Sequence, residues 1–347
     1  MPRIEVGSLR QFVTAIFEKH GAPRDSAECV SDHLVRSDRA GHPSHGVIRL
    51  QQYIDEIQEG RLVPTARPEI ARQTAVSALI DGQHGFGQVT ATYALDVGLR
   101  IAREQGLGAV ATTRSHHIGR VGEFPERAAE RGLIAMVWVN GMRLPGAVAP
   151  YGGRTGRHGT NPIAMAAPRG PDQPPVVADF ATSIVAEGKL RVARNRGQEL
   201  RSHLIMDRDG QPSTDPQDFY DGGCLRTIGE HKGYCLSFMC DVLAGALTGS
   251  LTPCFPDYSG SNSLMMILLD PDCFRSTDDF QKDVDHLCDI VKSTPTEDGF
   301  EEVFVPGELE HRRLAIHTDA VPLDEPTWQT LRKIAVEHAL SLPQIVE

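Results

Sequence analysis

The sequence has no Cys-x-x-Cys pair, no apolar stretch of membrane length, no run of basic residues and no G-x-G-x-x-G, and each absence argues against a class of protein. Seven cysteines (Cys29, Cys224, Cys235, Cys240, Cys254, Cys273 and Cys288) make an odd set without finger-like spacing. That argues against a disulfide framework and a thiolate zinc site, and leaves reduced, mostly buried thiols. The longest apolar runs, LIAMVWV at 133–139 and LMMILL at 264–269, are far shorter than the roughly 18 residues of a membrane span and read as buried strands. The opening MPRIEVGS lacks the apolar core of a signal peptide, so the expected location is the cytoplasm. Lys and Arg number 35 against 46 Asp and Glu, a net charge of −11, with no cationic run able to track a phosphate backbone. Neither nucleic acid nor a membrane is an expected partner. The G-x-G runs at 85–87 and 106–108 lack the third glycine of the Rossmann fingerprint, and neither a G-x-x-x-x-G-K-S/T phosphate loop nor a G-x-S-x-G elbow occurs.

What is present fits a globular chain of 347 residues, 40% hydrophobic and 23% charged, long enough for two domains or one large α/β domain. SLRQFVTAIFEKHGAP sets Leu9, Phe12, Val13, Ile16 and Phe17 on one stripe and stops at Gly21 and Pro23, which predicts a helix. Asp25 or Ser26 then caps a second helix with Cys29, Val30 and Leu34 inward. From about residue 76 strands and helices alternate. VSALIDG, GAVATTR, LIAMVWV, IAMAAP, PPVVADF, SLMMILLD and EEVFVPG read as strands. QVTATYALDVGLRIAREQG, FPERAAERG, TSIVAEGKLRVARNRG, HKGYCLSFMCDVLAGALTG and FQKDVDHLCDIV read as helices. Residues 200–230 read as an irregular loop and the last 35 as helical. The layout predicts a largely helical domain from both termini (1–75 plus 308–347) around a central α/β domain (76–307), with ligands at the seam.

On a single helix, AGHPSHGVIRLQQYIDEI (40–57) would place His45, Arg49, Tyr53 and Glu56 within an arc of about 80°, opposite Val47, Leu50, Ile54 and Ile57. Arg49 offers a fork suited to a carboxylate, Tyr53 a hydroxyl, and His45 a proton donor or acceptor with a reference pKa of about 6.5. Such a face could grip a carboxylate and move a proton at the neighbouring carbon; the plainer alternative is a solvated helix face. Ser44 would diverge from His45 by about 100°, a poor placement for a nucleophile. SHHIGRVGEF (115–124) joins a strand to a helix, where Gly119 and Gly122 would let amides approach an anion. Asp179 ends a strand, where it could orient an imidazole, hold a ribose hydroxyl or cap the next helix. His231 and Lys232 begin another helix, a place for caps and anion contacts alike. A metal-dependent hydrolase built on His116, His117 and Asp179 is a reading from another class, although no matching carboxylate spacing follows the paired histidines.

The order of these segments resembles the malate/L-lactate dehydrogenase family, which is unrelated to the Rossmann-type lactate dehydrogenases. The resemblance rests on AGHPSHGVIRLQQYI, DGQHGFGQ, SHHIGRVG, GTNPIAMAAP followed by DFATSIVAEGK, EHKGYCLSFMCDVLAGALTG and VPGELE, and spans nearly the whole chain. It implies an α/β fold with a non-Rossmann NAD(P)-binding domain, a homodimer, and interconversion of 2-oxo and 2-hydroxy acids with NAD, NADP also being admitted. By the same resemblance the catalytic set is His45, Ser44, Arg49 and Asp179, with Arg49, Tyr53 and His117 around the substrate and no metal. Cofactor contacts are implied for His45, Gly119, Arg120 and Val121, for Val177, Ala178, Asp179, Phe180 and Ala181, for His231, Lys232 and Asn262, and for Gly307, Glu308, Leu309 and Glu310. Arg120 could then serve a pyrophosphate or a 2′-phosphate. Cyclic imino acid (piperideine-2-carboxylate) reduction and ureidoglycolate oxidation are family alternatives. Asn140-Gly141 and the long loop after it depart from the family's usual Asn-Ser.

Overall fold

The computed structural model describes residues 1–141, 146–195, 197–258, 260 and 262–346, so part of the long loop after Asn140 lies outside the described residues. A short strand, β1 (Arg3–Glu5), leads into α1 (Val6–Lys19), whose predicted stripe from Leu9 to Phe17 is buried as its spacing requires. The Glu5 carboxylate caps this helix by accepting from the amides of Gly7 and Ser8. α2 (Arg24–Arg39) buries Val30 and Leu34 as expected, but no side chain caps it, and Asp25 and Ser26 fall inside its first turn.

Residues 40–57 are not one helix. They form two 3₁₀ turns, Pro43–His45 and Val47–Arg49, and then α3 (Leu50–Gln58). Pro43 disfavours helical backbone at His42, and Gly46 is extended at φ −88°, ψ −154°. The Asp38 carboxylate takes the Val47 amide at 2.8 Å in place of a helical carbonyl.

The α/β part follows as β2 (Glu69–Gln73), β3 (Ser77–Gly85), α4 (Gly87–Gln105), β4 (Leu107–Ser115), α5 (Glu123–Ala129), β5 (Ile134–Asn140), β6 (Pro162–Ala167), β7 (Val176–Ala181) and α6 (Glu187–Asn195). Where an irregular loop was expected lie β8 (Ile205–Met206), β9 (Pro212–Ser213), α7 (Pro216–Tyr220) and β10 (Cys224–Leu225), three of them a small sheet ordered β10-β8-β9. Then come α8 (His231–Cys240), which runs into a π-helical turn at Asp241–Ala246, β11 (Ser263–Leu269), α9 (Thr277–Lys292), α10 (Glu308–Ile316), β12 (Ala320–Pro322), α11 (Glu325–Glu337) and β13 (Ile345–Val346). The tail is thus only partly helical, because β12 and β13 pair on either side of β1. EEVFVPG forms no strand; a single bond, from the Val177 amide to the Pro306 carbonyl, ties its end to β7. α6 begins later than expected, since Ser183 and Ile184 bond to the 226–227 segment instead.

The main sheet is ordered β2-β3-β4-β11-β5-β6-β7, and within it only β3 and β4 run parallel. That is not the parallel, doubly wound arrangement whose first turn needs the glycine fingerprint, in keeping with its absence from the sequence. One apolar cluster joins α1, α2 and α3 to Val321, Leu323 and α11, and takes in Phe86 at the start of α4. Another packs α4 and α5 onto β5 and β11. All seven cysteines are free thiols, but only Cys224, Cys240 and Cys288 are buried; Cys235, Cys254 and Cys273 are exposed.

Candidate active site

The face carried by residues 44–56 is not solvated. Tyr53 and Glu56 are buried, and Ser44, His45 and Arg49 are half-buried against the loop that follows β4. Because the chain turns at Gly46, Ser44 and His45 do not diverge as on a helix: Ser44 Oγ lies 3.0 Å from His45 Nδ1. A Cβ at Gly46 would fall 2.0 Å from an Asp38 carboxylate oxygen, so the turn that presents His45 has no room for any other residue.

His116 and His117 lie just beyond β4 and point apart. His117 stacks on His45 with ring centroids 5.7 Å apart and planes 10° from parallel. Gln88 Nε2 donates to the Tyr53 hydroxyl oxygen at 2.8 Å, and the same hydroxyl shares a hydrogen bond with His117 Nδ1, 2.6 Å away. His116 turns instead to Glu56, 3.2 Å away, and to the Arg61 carbonyl at 2.6 Å. Arg49 Nε donates to the Ser44 carbonyl and Nη1 to Gln52, whose amide donates on to Glu56; Nη2 has no partner among the described residues.

Burial, reinforced by the Arg49 charge, pushes the His45 imidazole down to about 3, and the same causes hold His117 well below the usual histidine range. A histidine titrating near neutrality, as its reference value suggested, is thus not what the unliganded site contains. Burial pushes the Glu56 carboxyl up, but hydrogen bonds from His116 and Gln52 outweigh it and the net shift is downward.

A cleft of about 290 Å³ adjoins this cluster. Arg120, Val177, Ala178, Asp179, Phe180, Gly307 and Glu310, all among the residues implied for the cofactor, line it together with Pro306. His42 bridges the two, its Nε2 lying 3.3 Å from Glu310 and holding that carboxyl down to about 2. Arg120 is buried, with Glu126 at 3.1 Å from its Nη1 and Asp179 at 4.0 Å from its Nε, and that Nε has no hydrogen-bond partner. Val121 is buried behind it, and Ala181 is half-buried at the end of β7.

Several expected roles change. The anion met by the Gly122 amide is the chain's own Asp179, at 2.8 Å, and Asp179 bonds to neither imidazole, so it does not orient His45. Gly119, at φ +81°, uses its freedom to pass His33, whose Nε2 a Cβ would approach to 2.1 Å. Asn262 buttresses the histidine loop, accepting from Ile118 and donating to the Asn140 carbonyl. Glu308 is occupied by Lys292, Arg312 and the Val305 amide, and Leu309 beside it is exposed. His231 and Lys232 are exposed at the start of α8, His231 against Tyr151, with no contact to the histidine cluster. His116, His117 and Asp179 each face a different partner, so the ligand set of a metal-dependent hydrolase is not assembled. Gln88, His33 and His42 escaped the sequence reading; only HPSH, with two histidines three apart, carried any signal for His42.

The chain is similar in sequence and fold to known proteins. The malate/L-lactate dehydrogenase family matches residues 4–332. Hydroxycarboxylate dehydrogenase B of Escherichia coli K12 is 34% identical over 337 residues, 95% of this chain and 92% of that protein. The crystal structure of malate dehydrogenase from Entamoeba histolytica superposes with a TM-score of 0.92 at 26% identity, covering 99% of each chain. Delta1-piperideine-2-carboxylate reductase from Pseudomonas syringae pvar. tomato gives 0.83 at 28% identity, covering 96% of this chain and all of that one.

Proposed function

The chain belongs to the malate/L-lactate dehydrogenase family, and from that premise we propose that it interconverts 2-oxo and 2-hydroxy carboxylic acids with a nicotinamide cofactor, as a homodimer. The observation that carries this reading is the pairing of two stacked imidazoles with a guanidinium whose Nη2 has no partner among the described residues. The cofactor, when bound, supplies or accepts the hydride. What supports this reading is the cleft beside His42, where Arg120 Nε has no hydrogen-bond partner and Gly307, at φ +89°, packs closely on Val177. Two carboxylates, Asp179 and Glu310, against one guanidinium already paired favour the hydroxyls of NAD over the 2′-phosphate of NADP.

Arg49 takes the substrate carboxylate through Nη2. With Ser44 at Nδ1, His45 meets the C2 oxygen through Nε2, accepting the hydroxyl proton in oxidation and returning it in reduction. The carboxylate on Arg49 cancels the cationic charge that depresses His45, so the bound substrate itself makes the histidine a better base. Tyr53 and His117 fix the opposite wall.

The test is consumption of NADH or NADPH with pyruvate, oxaloacetate, phenylpyruvate, hydroxyphenylpyruvate and piperideine-2-carboxylate. Turnover of a 2-oxo acid supports the proposal. His45→Ala is expected to lower kcat by about 10²- to 10⁴-fold while NADH fluorescence still reports binding; an unchanged kcat removes His45 from the reaction. Turnover confined to piperideine-2-carboxylate would assign the chain to the imino acid reaction, which the likeness to the Pseudomonas enzyme supports.

A further inference from the structure

Away from this site, His158, Asp241 and Cys254 bring a ring nitrogen, a carboxylate oxygen and a thiol sulfur within 4.8 Å of one another. They come from three places: the loop between β5 and β6, the first residue of the π-helical turn after α8, and the loop beyond that turn. None belongs to the catalytic cluster or its cleft. His158 is only 4% exposed and Asp241 7%, whereas Cys254 opens to solvent. His158 Nδ1 stands 2.6 Å from Asp241 Oδ2, and its ring is flanked by Tyr234 and Phe238 at 5.6 and 6.3 Å.

A buried histidine–aspartate hydrogen bond would account for one carboxylate oxygen and no more. The other, Asp241 Oδ1, is buried and has no hydrogen-bond partner. Buried carboxylate oxygens nearly always find a donor or a cation. The π-helical turn that begins at Asp241 is itself a rare conformation, frequent at functional sites.

We propose that His158, Asp241 and Cys254 bind a thiophilic divalent cation of the zinc class, solvent supplying the fourth ligand. One nitrogen, one oxygen and one sulfur suit zinc or cobalt, and the thiolate disfavours magnesium and calcium. Binding breaks the Cys254 S–H bond, releases its proton to solvent and forms the metal–sulfur bond; no electron changes hands. Thiolate and carboxylate together balance the two positive charges. The Cys254 thiol now lies 3.2 Å from the Arg157 carbonyl, and the metal replaces that contact. The ion would pin the loop carrying Cys254 to the loop before β6, a structural rather than catalytic role.

The experiment is zinc uptake by the chelator-stripped full-length protein, with cobalt titration to detect a thiolate-to-cobalt charge-transfer band. About one zinc per chain is expected, with the cobalt band, and both should be lost in Cys254→Ser, an exposed position whose change leaves the fold intact by circular dichroism. His158→Gln should weaken uptake by about tenfold or more if it folds. Uptake well below one per chain, or equal uptake by Cys254→Ser, overturns the proposal. Neither readout involves turnover, so its failure is distinguishable from failure of the dehydrogenase reading.

Discussion

His45 sits where burial and the Arg49 charge act in the same direction, and that coupling has a kinetic signature. In hydroxy-acid oxidation kcat/KM titrates the free enzyme and kcat the substrate complex. The apparent pKa of the base is expected to be higher in the kcat profile, and Arg49→Met should shrink the difference while raising KM. Identical values in both profiles would sink the coupling. Asp38 carries a second titration. Burial raises its carboxyl from 3.8 to about 8, although the Val47 amide bond opposes the shift. Its contribution to stability is therefore complete below the unfolded value and is lost as pH rises through about 8, at up to about 1.4 kcal/mol per pH unit. Asp38→Asn keeps an acceptor for Val47 and removes the charge. The urea midpoint of the parent, relative to that variant, should fall between pH 5 and pH 8. A constant difference across that range would mean that Asp38 does not titrate there.

At the scale of elements, α1 was legible because its stripe repeats locally, and so were α4, β4 and β5. The segment 40–57 was legible in composition but not in shape. Its break depends on Asp38, nine residues before the amide it holds, and on the absence of space at Gly46. No helical periodicity encodes either. Ser44 and His45 meet for that reason alone. Leu50, buried without exposure in the cluster of the terminal helices, anchors the start of α3 between Arg49 and Tyr53. Leu50→Ala is expected to cost about 2–5 kcal/mol of stability by denaturant titration. It should raise KM as well, since the element holding Arg49 loses its seat; a stability loss with unchanged KM would show that the 3₁₀ turns hold Arg49 without α3.

Over the whole molecule, α8 turns an apolar side outward, with Leu236 40%, Phe238 49% and Met239 46% exposed, and Leu247 just beyond it at 63%. Exposed apolar surface is a common feature of subunit interfaces, which supports the proposed homodimer. Sedimentation equilibrium is expected to give a dimer, and Phe238→Glu to shift it toward monomer; a monomeric parent at micromolar concentration would remove the dimer from the proposed function. Among the described residues no helix is long and apolar enough to cross a membrane. By itself the sequence determined the locally periodic elements, α1, α4, β4 and β5 among them, and the residue types that cluster around His45, because periodicity and residue type are local properties. Only the tertiary structure decided that the polar face around His45 is buried, that Asp179 serves Gly122 rather than an imidazole, and that His117 hydrogen-bonds to Tyr53. Those depend on burial and on charges delivered by segments far apart in the chain, and neither quantity is written in any one stretch of it.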